Sequence, residues 1–149
     1  MSYTNLIYHI VLRTYRSFPS IEETNEREMY TYINGYAKNH KAIVYRIGGM
    51  PNHIHILLSL PPYIAVSEFV RGLKFATSNW AKHNSLFPLF SGWGEGYAAF
   101  TYSKEAIPNV KQYIMNQKEH HKVCSFEEEY RKILAENGIS INEKYFLKD

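Results

Sequence analysis

The 149-residue chain holds a single cysteine, Cys124, which excludes an internal disulfide and any multi-cysteine zinc site. No window approaches the roughly 18 unbroken apolar residues of a membrane span. A signal peptide is also lacking: the first fifteen residues carry His9 and Arg13 through a β-like run instead of a charged start and an apolar block, so the expected location is the cytoplasm. There is no G-x-x-x-x-G-K phosphate loop, no internal repeat and no low-complexity stretch. Charge is nearly balanced, with 17 Lys and Arg against 14 Asp and Glu, and a net +3 permits a polyanionic partner without requiring one.

Aromatic residues are plentiful. Thirteen tyrosines and eight phenylalanines supply core and also potential stacking platforms for unpaired bases. With 45% apolar and 21% charged residues, the chain has the composition of a globular protein and the length of one domain, residues 1–149.

The run "YTNLIYHIVLR" (3–13) reads as a strand closed by the Pro/Ser break "RSFPSI". Met29, Tyr30, Ile33, Tyr36 and Ala37 recur at three- and four-residue spacings, which predicts a helix over 21–41. Two strands follow, "AIVYRIGG" and "HIHILLSL", separated by the turn-forming cluster Gly48, Gly49, Pro51 and Asn52. A second helix is expected over 65–83, and a fourth strand in "YAAFTYS". A third helix should run from Pro108 to His121, and a last one over 125–138, opened by the Ser125/Glu128 capping box and closed by Gly138. Trp93 and Tyr97, in the glycine-punctuated loop before the fourth strand, read as packing anchors. The order β-α-β-β-α-β-α-α predicts an α+β fold, a largely antiparallel sheet with helices packed on one face.

Within "NHIHILLSL", strand alternation sends His53 and His55 to one face and Ile54, Ile56 and Leu58 to the other. Two imidazoles about 6–7 Å apart along a strand are close enough to reach one metal ion. In "VKQYIMNQKEHHK", Gln117 projects about 40° from Tyr113 on a helix, at the edge of the stripe formed by Ile107, Val110 and Ile114. His120 falls beside them, and His121, nearer the stripe, reads as structural. On spacing alone, two idle histidines on a half-exposed sheet and a boundary tyrosine beside a solvated glutamine account for the same pattern.

The combination is more specific than its parts. "HIVLRT", "GGMPNHIHILLSLPP", "FVRGLK", "GWGEGYAAFTYS", "YIMNQKEHHK" and "SFEEEYRKIL", in that order from residue 6 to 146, resemble the single-tyrosine transposases of the HUH nuclease superfamily, the group of insertion-sequence and REP-associated tyrosine transposases. The resemblance implies a ferredoxin-like, HUH-type fold. It makes His53, His55 and Gln117 metal ligands and Tyr113 the nucleophile. It also implies a divalent metal ion, Mg²⁺ or Mn²⁺, and a single-stranded DNA substrate with hairpin ends. The reaction expected is cleavage and rejoining through a 5′-phosphotyrosine, in a homodimer, often with the tyrosine helix of one protomer serving the histidines of the other.

Arg71, Lys74 and Lys82 on the second helix, and Lys111, Lys118 and Lys122 on the third, are candidate phosphate contacts, although a solvated helix face explains them equally. Two other readings stay open: a catalytically silent module binding hairpin DNA or RNA, and a metal-dependent hydrolase with water as nucleophile.

Overall fold

The computed structural model describes residues 1–149. The β-branched and aromatic runs form β1 (Ile7–Arg13), β2 (Ile43–Met50), β3 (His53–Ser59) and β4 (Ala98–Thr101). They pair antiparallel in the order β2-β3-β1-β4, so the histidine-bearing strand is internal, flanked by β2 and β1. The helices are α1 (Glu26–Asn39), α2 (Val66–Lys82), α3 (Ile107–Met115), α4 (Gln117–His120) and α5 (Phe126–Glu136). No helix is long and apolar enough to cross a membrane.

Strand alternation divides the interior. Ile10, Leu12, Ile54, Ile56 and Leu58 face α1 and α2, meeting Met29, Ile33, Phe69, Val70 and Leu73 in the larger core. Ile7, Val11 and Leu57 face the other way and are covered by Val110 and Ile114 of α3 and Phe126, Ile133 and Leu134 of α5. The α+β antiparallel architecture is as the sequence predicts, and so is a helix layer on one face. The expectation of a single layer is corrected to two, because the histidine face also carries Ile7, Val11 and Leu57, whose apolar area must leave water. All of β3 from His53 to Leu58 is buried as a result.

Two local differences shape the site. The turn between β2 and β3 is only Pro51 and Asn52; Gly48 and Gly49, expected in it, are strand residues paired with His55 and Ile54. The expected helix 108–121 is interrupted at Asn116 (φ −91°, ψ 13°), which separates α3 from α4. Of the two loop aromatics, Trp93 is the anchor expected, packing on the larger core and donating to Thr77 Oγ1 at 2.7 Å, whereas Tyr97 remains 40% exposed.

The C-terminal segment is tied to the end of β1. Asp149 accepts two 2.7 Å bonds from the Arg13 guanidinium and one of 2.6 Å from each backbone N–H of Arg16 and Glu95. Both side chains are buried. Burial alone would raise the Asp149 carboxyl, but Arg13 and the two backbone donors hold it at about 2. A depressed folded-state value contributes stability above the unfolded value near 3.8 and loses it as pH falls towards 2. Asp149→Asn should therefore lower the unfolding free energy by about 2 kcal/mol at pH 7. Urea melts should show that gap closing as the pH is taken from 4 to 2, and a gap independent of pH would refute the ion-pair account.

Candidate active site

The histidine face of β3 is brought under α3 by Gly48. A Cβ built on that glycine would lie 2.8 Å from the carbonyl oxygen of Ile114 and 2.9 Å from its Cγ2, so only glycine lets the helix settle this close to the neighbour of His55. Burial of Val110 and Ile114 fixes the rotation of α3 and leaves Tyr113, part-buried, directed at the histidines. Its ring lies 5.7 Å from that of His55. The break at Asn116 then aims Gln117, His120 and His121 inward. On the far side α5 starts at the Ser125/Glu128 capping box, which is formed as expected, and lays Phe126 flat on His53 at 4.2 Å.

All these groups converge on Glu129 of α5. Oε1 of its carboxylate lies 3.2 Å from His53 Nε2, 3.3 Å from His55 Nε2 and 3.1 Å from His121 Nε2. Oε2 accepts from the Tyr113 hydroxyl and, at 2.7 Å, from Gln117 Nε2. That bond fixes the amide's orientation and turns Gln117 Oε1 towards His53 Nε2 (2.9 Å) and His121 Nε2 (3.1 Å). Behind the site, His55 Nδ1 meets His9 Nε2 at 2.8 Å, His53 Nδ1 meets Asn52 Oδ1 at 2.7 Å, and His121 Nδ1 meets the Cys124 carbonyl at 2.8 Å.

Burial sets the charge states. It pushes His53 down to about 4 against the opposing pull of Glu129, and His9 down to about 3 with further help from His55, so both rings are neutral at pH 7. Burial alone would raise Glu129; hydrogen bonds from His121, His53 and His55 outweigh it and keep the carboxylate ionised. Burial, followed by the bond to Glu129 and its charge, raises the Tyr113 phenol well above its ordinary value.

The sequence-derived quartet His53, His55, Tyr113 and Gln117 is thus assembled by one chain around a carboxylate that sequence reasoning passed over. Glu129 sits among three consecutive glutamates; the available signal was its position on the apolar stripe of Phe126 and Ile133, where an acid costs free energy unless paired. His9 carried a similar signal, a polar residue alternating with Ile7 and Val11. His121, read as structural, reaches the cluster because the helix breaks before it. Of the candidate phosphate contacts, Lys111 and Lys118 lie on the tyrosine side, with Lys118 bound to Glu26 and to the Gly49 carbonyl. Arg71 and Lys74 belong to α2 on the opposite face, and Lys74 is engaged by the carbonyls of Gly94 and Gly96.

The donor chemistry fits a divalent cation. His53, His55 and Glu129 offer ligand atoms within 4.8 Å of one another, all three buried. His53 Nε2 lies 2.9 Å from the Gln117 amide oxygen and 3.2 Å from the Glu129 carboxylate, so an imidazole, an amide oxygen and a carboxylate of the kinds that ligate divalent cations stand side by side.

A central strand that presents two histidines to one tyrosine on a facing helix, within an α+β antiparallel fold, defines the class: a single-tyrosine protein of the HUH type. The chain belongs to the IS200-like transposase family, whose model matches residues 2–117. It is 32% identical over 73 residues to the ISDra2 transposase TnpA of Deinococcus radiodurans, a stretch covering 46% of this chain and 52% of that protein. The match thus spans about half the length of the curated relative. Its fold is similar to that of a crystallised candidate transposase from Deinococcus radiodurans r1, with TM-score 0.57 and 20% identity, covering 78% of this chain and 93% of that one. It is also similar to the REP-associated tyrosine transposase bound to a REP hairpin, with TM-score 0.62 and 12% identity, covering 81% and 72% of the two chains.

Proposed function

We propose that residues 1–149 form one transposase domain that cuts and rejoins single-stranded DNA beside a hairpin, through a covalent 5′-phosphotyrosine on Tyr113. The observation that carries this reading is the meeting of the Tyr113 hydroxyl with His53, His55 and Gln117 around the single Glu129 carboxylate. It supports Tyr113 as the nucleophile beside a set of metal donors.

His53, His55 and Gln117 would hold Mg²⁺ or Mn²⁺, which supplies Lewis-acid stabilisation of charge on a phosphodiester oxygen. Tyr113 attacks phosphorus with its phenolic oxygen, and its proton passes to the carboxylate that already accepts its hydrogen bond. The bond to the 3′ oxygen breaks, and that oxygen leaves as a 3′-hydroxyl after taking a proton from solvent. The phosphodiester is conserved as a tyrosine ester, so attack by another 3′-hydroxyl regenerates Tyr113 and joins new ends without a nucleotide cofactor. Glu129 fixes the direction of the phenolic O–H, while burial keeps competing water from the phosphotyrosine.

A cleft of about 640 Å³ between α1, β2 and the tyrosine helix reaches Gln117, and Arg27, Arg46, Lys118, Tyr30 and Tyr45 line it. Its mixture of cations and aromatic rings suits a flexible strand, and Lys111 and Lys118 are the candidate phosphate contacts nearest the chemistry. The hairpin bound by the REP-associated relative supports a folded DNA partner for this chain.

The test is incubation with labelled single-stranded DNA taken from the hairpins flanking the gene, with Mn²⁺, Mg²⁺ or chelator. A denaturation-resistant protein–DNA adduct is expected with either metal and not with chelator. Tight DNA binding with metal uptake but no adduct would instead favour the silent binding module.

We read the sites as working in cis even where two copies associate as a homodimer, a reading supported by the approach of Tyr113 to His55 within one chain. Mixing Tyr113→Phe with His53→Ala chains should therefore leave cleavage below about a hundredth of wild type. Recovery of a substantial fraction in verified heterodimers would establish exchange of α3 between protomers.

A further inference from the structure

We infer that His9 is a positioning residue of the site: its Nε2 accepts the Nδ1 proton of His55 and so holds His55 Nε2 ready for a divalent cation. This rests on the metal-dependent reading above. In β1, Ile7, His9 and Val11 share one face, and the register pairs Val11 with His55 and His9 with Leu57. His9 and His55 are therefore diagonal neighbours on adjacent strands, a spacing that aromatic rings can span. Their ring centroids lie 5.0 Å apart, and His9 Nε2 lies 2.8 Å from His55 Nδ1. That is the one hydrogen bond the His9 side chain makes, because its Nδ1 is buried without a partner. Phe100, Tyr102 and Tyr113 close the ring in, at 5.9, 6.1 and 6.4 Å between centroids.

Packing does not account for an imidazole in this seat. Ile7 and Val11, on either side of it along the same face, are aliphatic, and an aliphatic residue at position 9 would leave no buried nitrogen unpaired. What histidine adds is one nitrogen set against His55 Nδ1. In the free protein the shared proton can sit on either ring, since His55 Nε2 can also donate to Glu129 at 3.3 Å. A cation on His55 removes that choice. Coordination uses the lone pair of Nε2, the proton then belongs on Nδ1, and His9 Nε2 is the acceptor that Nδ1 meets. His53 is served in the same way, with its Nδ1 2.7 Å from Asn52 Oδ1.

The experiment uses the full chain freed of metal by chelator. His9→Leu removes the acceptor at similar volume, and His9→Gln returns an acceptor close to where Nε2 stood. Mn²⁺ binding is followed by the EPR signal of the free ion, folding by thermal melting in chelator, and cleavage of a labelled hairpin as a function of Mn²⁺ concentration. His9→Leu should stay folded, bind Mn²⁺ at least about tenfold more weakly and need correspondingly more Mn²⁺ for half-maximal cleavage. His9→Gln should recover to within about threefold of wild type. In ¹⁵N NMR of the Mg²⁺-loaded wild type, His55 should be protonated at Nδ1, with that signal shifted in His9→Leu.

Unchanged Mn²⁺ affinity in folded His9→Leu overturns the inference, and so do equal losses in His9→Leu and His9→Gln, because the shape of the ring would then be what matters. If His9→Leu does not fold, the wild-type tautomer decides, and His55 protonated at Nε2 in the loaded protein overturns the inference. His53→Ala separates the two readings. If it loses Mn²⁺ while His9→Leu binds as wild type does, the metal site stands without His9; if wild type takes up no Mn²⁺, the metal reading and this inference fall together.

Discussion

Tyr113→Phe should abolish the covalent adduct and reduce strand cleavage at least about a thousandfold, while leaving the fold and Mn²⁺ affinity intact. The substitution removes one oxygen from a side chain whose ring packs beside Val110, Ile114 and Phe100, so the apolar contacts survive. Glu129 Oε2 keeps its 2.7 Å bond from Gln117 Nε2 and is not left without a donor. The variant therefore isolates the nucleophile from the architecture around it. Single-turnover cleavage of a labelled hairpin substrate, run beside Mn²⁺ titration of the same preparation, measures both halves. Retention of most cleavage would sink the phosphotyrosine mechanism and leave water as the nucleophile, because a hydrolase with these histidines has no need of the phenol.

The second large effect is expected far less obviously, at Gly48. Gly48→Val should lower cleavage by about 100-fold with little loss of secondary structure. Valine suits a strand, and Gly48 has no unusual backbone angle to strain it. Its Cβ, however, would stand 2.8 Å from the Ile114 carbonyl oxygen, backbone that cannot swing aside. The helix must lift from the sheet, carrying Tyr113, the residue before Ile114, away from His55. Displacements near 1 Å cost a reacting pair about two orders of magnitude, and overpacking costs about 1–3 kcal/mol of stability. Cleavage and thermal melting of the purified variant test this together. Near wild-type cleavage would mean that α3 is positioned by something other than its seat on Gly48.

That glycine shows why some of the molecule was legible before folding and some was not. As a turn-former next to Pro51, Gly48 has an ordinary explanation in the chain, and only the packing of a helix sixty residues away reveals what its missing Cβ is for. The hairpin itself, the four strands, the capping box at Ser125 and the amphipathic helices over 21–41 and 65–83 rest on local periodicity and turn chemistry, and they formed close to the expected bounds. The second helix layer was missed because Ile7, Val11 and Leu57 share their face with His9, His53 and His55, and the polar signal hid the apolar one. The reach of His121 into the cluster was not legible because a helix projected unbroken from the sequence lacks the interruption at Asn116.

The amino-acid sequence by itself determined the family resemblance, the α+β order and the quartet His53, His55, Tyr113 and Gln117. Each follows from neighbours within a strand or helix turn, or from motif order along the chain. The tertiary structure alone decided that Glu129 lies at their centre, that His9 backs His55 and that His121 turns inward. Those relations join residues 8 to 74 positions apart, and no local periodicity encodes them. A buried carboxylate becomes tolerable only where the folded chain surrounds it with donors.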